Sequence, residues 1–291
     1  MSDTIAELVH EAGRRLEEAG LVFAHGTTDP VAEAAFFAAE TLGVAPDEIE
    51  SMAGYRPTPA QRTAVLALVD ERIRTRRPAA YLVGRIWMLG VPFHIDERAI
   101  VPRSFLGEIL ADELFETLIA EPEGVRRVLD LCTGSACLAI LAAMRFPEAT
   151  VDAVDLSATA LEVAARNVAE HGMENRVRLM QGDLFGPVGD NRYDLIIANP
   201  PYVDAEGMAD LPPECRHEPA LAFDGGADGL DLVRPMLRQA RAHLSDNGGL
   251  LCEIGRCGPA LEAAFPQTPF LWLDTEDSSG EVFWLDAAAL R

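Results

Sequence analysis

From Val125 onward, short apolar runs alternate with amphipathic runs of helical period. The apolar runs predict strands at residues 127–132, 150–156, 177–181, 193–198, 249–254, 271–273 and 281–285, and the intervening runs predict helices that include residues 137–145, 160–171 and 230–244. Strands that are apolar throughout and alternate with helices are typical of a parallel sheet covered on both faces. The sequence therefore predicts an α/β fold with a doubly wound, mostly parallel seven-stranded sheet.

The first hundred residues have a different pattern. Helical periodicity predicts three helices, at residues 5–19, after Asp29-Pro30, and at residues 58–76. The stretch that follows is rich in β-branched and aromatic residues and is broken by Gly84 and Gly90, which predicts a β-hairpin. We therefore expect a helical domain at residues 1–78, a hairpin linker at 79–104 and an α/β domain at 105–291.

The residues just after each strand are the candidates for a ligand site, because ligands of open α/β sheets bind beyond the carboxyl ends of the strands. After the first strand comes a turn of small residues running from Asp130 through Gly134 to Cys137, where the backbone can approach a ligand closely. This turn is also common in α/β proteins that bind nothing there. Neither GxGxxG nor GxxxxGK[ST] occurs, which disfavours a pyrophosphate cradle and favours a nucleoside ligand.

Acidic residues end or follow the next two strands. Asp155 can accept both hydroxyls of a ribose, although the alternative is a helix N-cap in the turn at residues 155–157. Asp183 and Leu184 follow the third strand, where they can hydrogen-bond and flank an adenine, with a plain turn as the alternative.

The fourth strand ends in the sequence ANPPYV at residues 198–203, and two prolines cannot continue a hydrogen-bonded ladder. Asn199 brings a side-chain carbonyl, Pro200 brings a backbone carbonyl that no ladder uses, and Tyr202 brings an aromatic face. Two acceptors at a stiff corner can hold both N–H groups of an NH₂ and aim its nitrogen at an electrophile. From these residues alone, a nucleobase amino group and a glutamine amide remain equally open.

The composition limits the partners and the compartment. With 47 acidic and 24 basic residues, the net charge of −23 repels phosphate backbones and attracts basic proteins. The basic run RIRTRR at residues 72–77 is interpreted as the solvated end of the third helix. The five cysteines have no zinc-type spacing, and we interpret them as buried or incidental thiols. No apolar run is long enough for a membrane span and the first residues do not resemble a signal peptide, so we expect a cytoplasmic protein without a membrane partner.

Together the strand-end residues resemble those of the class I, Rossmann-like S-adenosylmethionine-dependent methyltransferases, and Asn-Pro-Pro-Tyr resembles the form that methylates planar NH₂ groups. The whole chain is similar to the HemK-like protein-(glutamine-N(5)) methyltransferases. Segments that look like the PrmB group, which acts on a glutamine of large-subunit ribosomal protein L-three, are residues 20–27, 77–82, 94–98, 101–104, 130–135, 218–221 and 228–230. The release-factor branch typically has glycine at the position of Cys132 and a different stretch at residues 102–107.

The resemblance implies S-adenosylmethionine as cofactor and a basic ribosomal protein as substrate, with no stable nucleic-acid binding, and it leaves the oligomeric state open. It implies that Asn199, Pro200 and Tyr202 are catalytic, and that Pro201, Arg103 and Glu218 line the substrate pocket. Arg103 and Glu218 form a structural ion pair in the alternative reading. The implied cofactor contacts are Asp130, Thr133, Gly134, Ser135, Asp155, Asp183, Leu184 and Asn199.

One departure from the family pattern concerns the cofactor turn. Ala136 stands where the family usually has glycine, which places a methyl group close to the expected path of the cofactor. We expect a small shift and retained binding. The competing hypotheses are a release-factor glutamine methyltransferase, a nucleic-acid amino methyltransferase that extrudes its base, and a non-enzymatic nucleoside-binding protein, for which Ala136 is the hint.

Overall fold

The structure, a computed structural model, describes residues 4–119, 121–275 and 278–290. The chain divides into two compact units. Unit 1 contains Met1–Glu97, Val101–Arg103 and Pro212–Glu218, and unit 2 contains Arg98–Ile100, Ser104–Leu211 and Pro219–Arg291. Within the described residues, no helix has both the length and the apolar character needed to cross a bilayer.

Unit 1 contains the three predicted helices and the predicted hairpin, which are confirmed, but Ala79–Val83, expected within the hairpin linker, forms a further short helix. Its elements are α1 (Ile5–Glu18), α2 (Pro30–Leu42), α3 (Pro59–Thr75), α4 (Ala79–Val83), β1 (Arg85–Met88) and β2 (Val91–His94). A capping box at Thr58 begins α3, since the Thr58 side chain accepts the backbone N–H of Gln61 and the Gln61 side chain accepts the N–H of Thr58. Asp29 caps α2, with Pro30 as the first helical residue. The apolar faces of the helices form one core that includes Leu8, Leu16, Phe37 and Val69.

The basic run lies at the end of α3, as the sequence predicted, and Arg74 is exposed there, but the prediction that the run is solvated is wrong for Arg72. Arg72 is fully buried, and its Nε donates to Glu33 Oε1 at 2.8 Å. Burial raises the pKa of Glu33, although the charge of Arg72 lowers it. The prediction was wrong because a periodic pattern does not show that a neighbouring helix supplies a buried carboxylate. The other three arginines of the run also pair with acids in unit 1, as Arg74–Glu71, Arg76–Glu214 and Arg77–Glu97.

Unit 2 is built on the predicted seven-stranded sheet. Its strands are β3 (Arg127–Leu131), β4 (Thr150–Asp155), β5 (Val177–Gln181), β6 (Tyr193–Ala198), β7 (Leu244–Glu253), β8 (Leu271–Leu273) and β9 (Val282–Asp286). Its α-helices are α5 (Leu106–Ala111), α6 (Cys137–Arg145), α7 (Ala158–Glu170), α8 (Ala205–Ala209), α9 (Val233–His243) and α10 (Gly258–Ala264). Short 3₁₀ helices connect these elements at Glu113–Leu118, Pro122–Gly124, Gly186–Val188, Ala220–Ala222 and Gly255–Cys257, and Pro213–His217 is 3₁₀ in unit 1.

The sheet reverses its strand order at the position where the predicted ligand turns leave it. The order is β5-β4-β3-β6-β7-β9-β8, and only β9 pairs antiparallel with its neighbours. The chain runs outward from β3 to β5 and then returns to the other side of β3 with β6. Leu131 pairs with Val154 on one side and with Ala198 on the other, so the turns that follow β3, β4 and β6 begin side by side. This switch point is where α/β sheets of this kind bind ligands.

Candidate active site

The turn after β3 has an unusual backbone conformation. Cys132, Gly134 and Ala136 all have positive φ, at 60°, 56° and 63°. For the two residues other than glycine, this left-handed conformation costs about 1–2 kcal/mol each. Another such residue, Leu184 in the turn after β5, has φ 43°. Strained backbone of this kind concentrates at ligand sites, and a Cβ built on Gly134 would meet no described atom within 4 Å, so the backbone is open to a ligand there.

Asp155 lies in the adjacent turn and fixes its geometry. Its Oδ2 accepts the backbone N–H of Gly134 at 2.8 Å, and its Oδ1 accepts the N–H of Ser157 at 2.8 Å. The N-cap of α7 is Ser157, whose side chain accepts the N–H of Ala160, so Asp155 is not the helix cap that the sequence offered as an alternative. Burial raises the pKa of Asp155, although the N–H groups of Ser157 and Gly134 lower it. Its role at a ribose stays a prediction.

Asp130 is fully buried at the end of β3. Its Oδ2 accepts the hydroxyl of Thr133 at 2.5 Å, whereas no described residue hydrogen-bonds its Oδ1. Burial raises the pKa of Asp130 to about 7, a hydrogen bond from Thr133 lowers it, and the nearby charge of Asp155 raises it further. Burying a carboxylate that has an unpaired oxygen and no basic partner costs folding free energy. A cationic ligand would supply the missing positive charge.

A cleft opens in unit 2 at the switch point. Its lining includes four of the predicted site residues, which are Gly134, Asp155, Asn199 and Pro201. The remaining walls are mostly apolar and are formed by Ala99, Ile100, Leu156, Ala160, Pro219, Leu221, Ala222 and Leu232, together with Arg98, Cys132 and Ser157. Leu156 and Leu221 each have 54% of their surface exposed, which is high for leucine. An apolar cleft with a few convergent polar groups is the usual form of a small-molecule site.

The other predicted cofactor residues lie behind or beside the cleft surface. Thr133 and Ser135 are buried in the turn, where the Ser135 carbonyl accepts the side-chain N–H of Asn167 at 2.9 Å. Leu184 is buried, and the carbonyl of Asp183 accepts the N–H of Gly186. Cofactor contacts at these positions therefore stay predictions.

The Asn-Pro-Pro-Tyr corner leaves the sheet beside the β3 turn. Among the described residues, none donates a hydrogen bond to the Asn199 side chain or to the Pro200 carbonyl. Asn199 is half-buried and lines the cleft, whereas Pro200 is buried and, like Tyr202, is not part of the lining. The Tyr202 hydroxyl donates to Glu253 Oε1 at 2.8 Å. The sequence analysis did not identify Glu253. This residue also ends a strand at the same edge of the sheet, so it would have been found if the residues at the end of β7 had been considered like those after the first four strands.

Arg103 and Glu218 belong to unit 1, where they form an ion pair. Arg103 donates to both carboxylate oxygens of Glu218, at 2.8 and 3.0 Å, and His25 Nε2 lies 3.0 Å from Oε2. Although burial opposes it, the hydrogen bond with His25 and the charge of Arg103 hold the pKa of Glu218 below its usual value. Their role in a substrate pocket stays a prediction.

The same cluster contains the best candidate metal ligands among the described residues. Donor atoms of His25, Cys215 and Glu218 lie within 4.8 Å of one another. Arg103 already balances the charge of Glu218, so the cluster is stable as a hydrogen-bonded ion pair. All five cysteines are free, and burial raises the pKa of the Cys132 and Cys215 thiols, as expected for unreactive sulfur.

Comparisons with known proteins agree with this geometry. The family described as Methyltransferase small domain matches residues 109–211. The ribosomal protein uL3 glutamine methyltransferase of Bradyrhizobium diazoefficiens is 62% identical over 99% of this chain and 92% of its own length. The protein of the same name from Bordetella pertussis is 48% identical over 99% of this chain and 96% of its own length.

This chain belongs to the uL3 glutamine methyltransferase family. Its resemblance to the HemK- and PrmB-like enzymes is thereby confirmed, and its fold is that of the class I S-adenosylmethionine-dependent methyltransferases. Among solved structures, a ribosomal protein L11 methylase from Lactobacillus delbrueckii subsp. bulgaricus is 25% identical over 64% of this chain and 79% of that chain, with a TM-score of 0.41. The family assignment rests on the full-length relatives.

This protein is expected to become more stable when Ala136 is changed to glycine. Ala136→Gly relieves the left-handed strain and should raise the free energy of unfolding by about 0.5–1 kcal/mol, measured by urea denaturation. Ala165→Gly is the matched control, because Ala165 is an exposed helical residue and this change should lower the stability by about 1 kcal/mol. Calorimetry should show S-adenosylmethionine binding in both wild type and Ala136→Gly. Binding only in the glycine variant would show that the methyl group blocks the cofactor.

Proposed function

We propose that this protein transfers the methyl group of S-adenosylmethionine to the side-chain amide nitrogen of a glutamine in ribosomal protein uL3. The observation that carries the proposal is the pair of free acceptors, the Asn199 side chain and the Pro200 carbonyl, beside the strained β3 turn at the switch point. The near full-length identity to enzymes named for this substrate supports the choice of amide over nucleobase.

The residues present suit the cofactor. Its cationic methionine end would balance Asp130, whose Oδ1 lacks a partner, and its ribose would meet Asp155 at the cleft wall. The open backbone at Gly134 allows close approach, and the turn containing Asp183 and Leu184 would flank the adenine. When bound, S-adenosylmethionine supplies an electrophilic methyl group on a sulfonium.

The corner residues then prepare the substrate nitrogen. The Asn199 and Pro200 carbonyls accept the two N–H bonds of the glutamine amide, which fixes the nitrogen and increases its electron density. Tyr202 packs against the amide plane and restricts its rotation, and an aromatic face also favours a nearby positive charge. As the new N–C bond forms the methyl–sulfur bond breaks, and the amide proton then passes to water, so a strong base is not required. These residues act by orientation and hydrogen bonding.

The other functions are less well supported. A nucleic-acid methyltransferase needs cations that are free to meet phosphates. The one basic run of the sequence is instead paired with Glu33, Glu71, Glu97 and Glu214. The names of the full-length relatives favour the ribosomal protein over a release factor as substrate. Catalytic turnover of S-adenosylmethionine would exclude the hypothesis of a nucleoside-binding protein without enzymatic activity.

The test is methyl transfer from labelled S-adenosylmethionine to purified uL3, with mass spectrometry of the peptides. We expect one added methyl group on a single glutamine. Release factors and double-stranded DNA are run in parallel, and labelling of either one with none on uL3 would contradict the proposal.

The acidic charge also predicts which form of the substrate is preferred. Finished large subunits should react at least about tenfold more slowly than free uL3, because a protein of net charge −23 is repelled by ribosomal RNA. Equal rates on both forms would contradict this preference without affecting the choice of substrate.

A further inference from the structure

Glu253 is a buried carboxylate at the end of β7, with 1% of its surface exposed. Its Oε1 accepts the Tyr202 hydroxyl at 2.8 Å, and its Oε2 accepts the Ser104 hydroxyl at 2.6 Å and the backbone N–H of Phe105 at 3.0 Å. No lysine or arginine among the described residues forms an ion pair with it. Burial raises the pKa of Glu253, and the hydrogen bonds from Ser104, Tyr202 and Phe105 lower it. Three hydrogen-bond donors therefore fix the position of this one side chain.

The residues after Glu253 hold the rest of Tyr202 and the loop behind it. A Cβ on Gly255 would lie 2.6 Å from Cε2 of the Tyr202 ring, so the ring packs directly on the backbone there. The Cys257 thiol donates to the Tyr202 carbonyl at 3.2 Å. Arg256 binds Asp204, two residues after the tyrosine, at 2.6 and 3.1 Å. We call residues 253–257 the support segment, because its contacts fix Tyr202 at the hydroxyl, the ring and the backbone.

We propose that Glu253 is a positioning residue that sets the orientation of the Tyr202 ring for methyl transfer, an inference that rests on the proposed function. The hydrogen bond holds the hydroxyl at Glu253 Oε1 and thereby fixes the direction of the ring. It also prevents the ring from rotating away, which lowers the entropy lost on reaching the reactive arrangement.

A purely structural role is the competing explanation, since Glu253 also holds Ser104 and the backbone of Phe105 before α5. The two roles depend on different oxygens. Ser104→Ala removes a hydrogen bond to Oε2 and leaves Tyr202 unchanged, so it is the matched control. We expect Ser104→Ala to lower the Tm while keeping kcat within about twofold of wild type.

The experiment is a double-mutant cycle with Glu253→Gln and Tyr202→Phe, using free uL3 and saturating S-adenosylmethionine. Each single change should lower kcat by about tenfold, with little change in the Kd for the cofactor. The kcat of the double variant should lie within about twofold of that of the slower single variant, because both changes remove the same interaction. Full kcat in Tyr202→Phe, or losses that multiply in the double variant, would overturn the proposal. Tyr202→Phe alone decides the matter if Glu253→Gln does not fold, because the phenylalanine variant leaves the buried carboxylate in place.

The result is separable from the proposed function. Wild-type labelling in Asn199→Ala would refute the assignment of the corner residues, whatever the cycle shows. Loss of activity in Asn199→Ala together with full activity in Tyr202→Phe would refute the role of Glu253 alone.

Discussion

Replacement of Asn199 by alanine is expected to lower kcat for methylation of uL3 by at least about a hundredfold, the loss typical when one fixed hydrogen-bonding group is removed from a reacting centre. The amide nitrogen of glutamine is a weak nucleophile, so the reaction depends on its orientation and on the acceptors that hold its two protons. With alanine at position 199 only the Pro200 carbonyl remains. The nitrogen can then rotate away from the electrophile, and its electron density falls.

The measurement is initial-rate labelling of free uL3 with S-adenosylmethionine at saturation, because Asn199 also lies in the cleft predicted to bind the cofactor. Asn247→Ala is the matched control, since Asn247 is an exposed asparagine of the same unit. It should keep wild-type activity. Asn199→Asp retains one acceptor oxygen and should fall between alanine and wild type. A rate within tenfold of wild type in Asn199→Ala would remove this residue from the reacting centre.

The sheet and its ligand turns could be predicted from the sequence because both follow local rules. A strand buried on both faces must be apolar, so β6 was predicted with its observed bounds. The two prolines fix the end of β6 by removing ladder donors. Parallel strands also place their following turns at one edge, so Gly134, Asp155 and Asn199 were expected together, and they line one cleft.

The features that were missed depend on partners distant in the chain. Arg72 looks like an ordinary charge at a helix end, and only the packing of α2 against α3 brings Glu33 to it. Likewise, Glu214 follows the Asn-Pro-Pro-Tyr corner in sequence but belongs to unit 1 through Arg76. Periodicity reports which face of an element is apolar, and it carries no information about which charges meet there.

β7 is a further example of this limit. The strand was predicted to start at residue 249, whereas it begins at Leu244, opposite Tyr193. The register is irregular between Tyr193 and Leu195, and this irregularity accommodates the extra residues. Such accommodation depends on the neighbouring strand and has no local signal.

Cofactor binding is expected to weaken about tenfold for each pH unit below about 7, because burial raises the pKa of Asp130 to about 7 and the carboxylate is the form that attracts a cation. Above that pH Asp130 is ionised before binding and the affinity should reach a plateau. Below it, the carboxyl must lose its proton when the cationic methionine end arrives. Calorimetry at pH 6 in buffers of different ionisation enthalpy should therefore detect about one proton released per cofactor bound.

Asp130→Asn tests the assignment. The variant should bind S-adenosylmethionine at least about a hundredfold more weakly at pH 8 and should lose most of the pH dependence, since asparagine does not titrate. The pKa of Asp155 is also raised by burial. If the pH dependence of cofactor affinity were unchanged in Asp130→Asn, the titrating group would be Asp155, which would contradict the assignment. Thr133→Val removes the hydrogen bond that lowers the pKa of Asp130, and it should shift the midpoint to higher pH.

The same raised pKa makes the unliganded fold sensitive to pH in a defined direction. Below about pH 3, Asp130 is protonated in both the folded and the unfolded chain, because the ordinary pKa of an aspartate is 3.8, and its ionisation does not change the stability. As the pH rises toward 7, the unfolded chain ionises first, so the contribution of Asp130 to stability falls and then stays constant above about pH 7. A bound cation reverses this loss. The stabilisation by S-adenosylmethionine, measured as the shift in Tm, should therefore grow between pH 6 and pH 8 in the wild type and stay flat in Asp130→Asn.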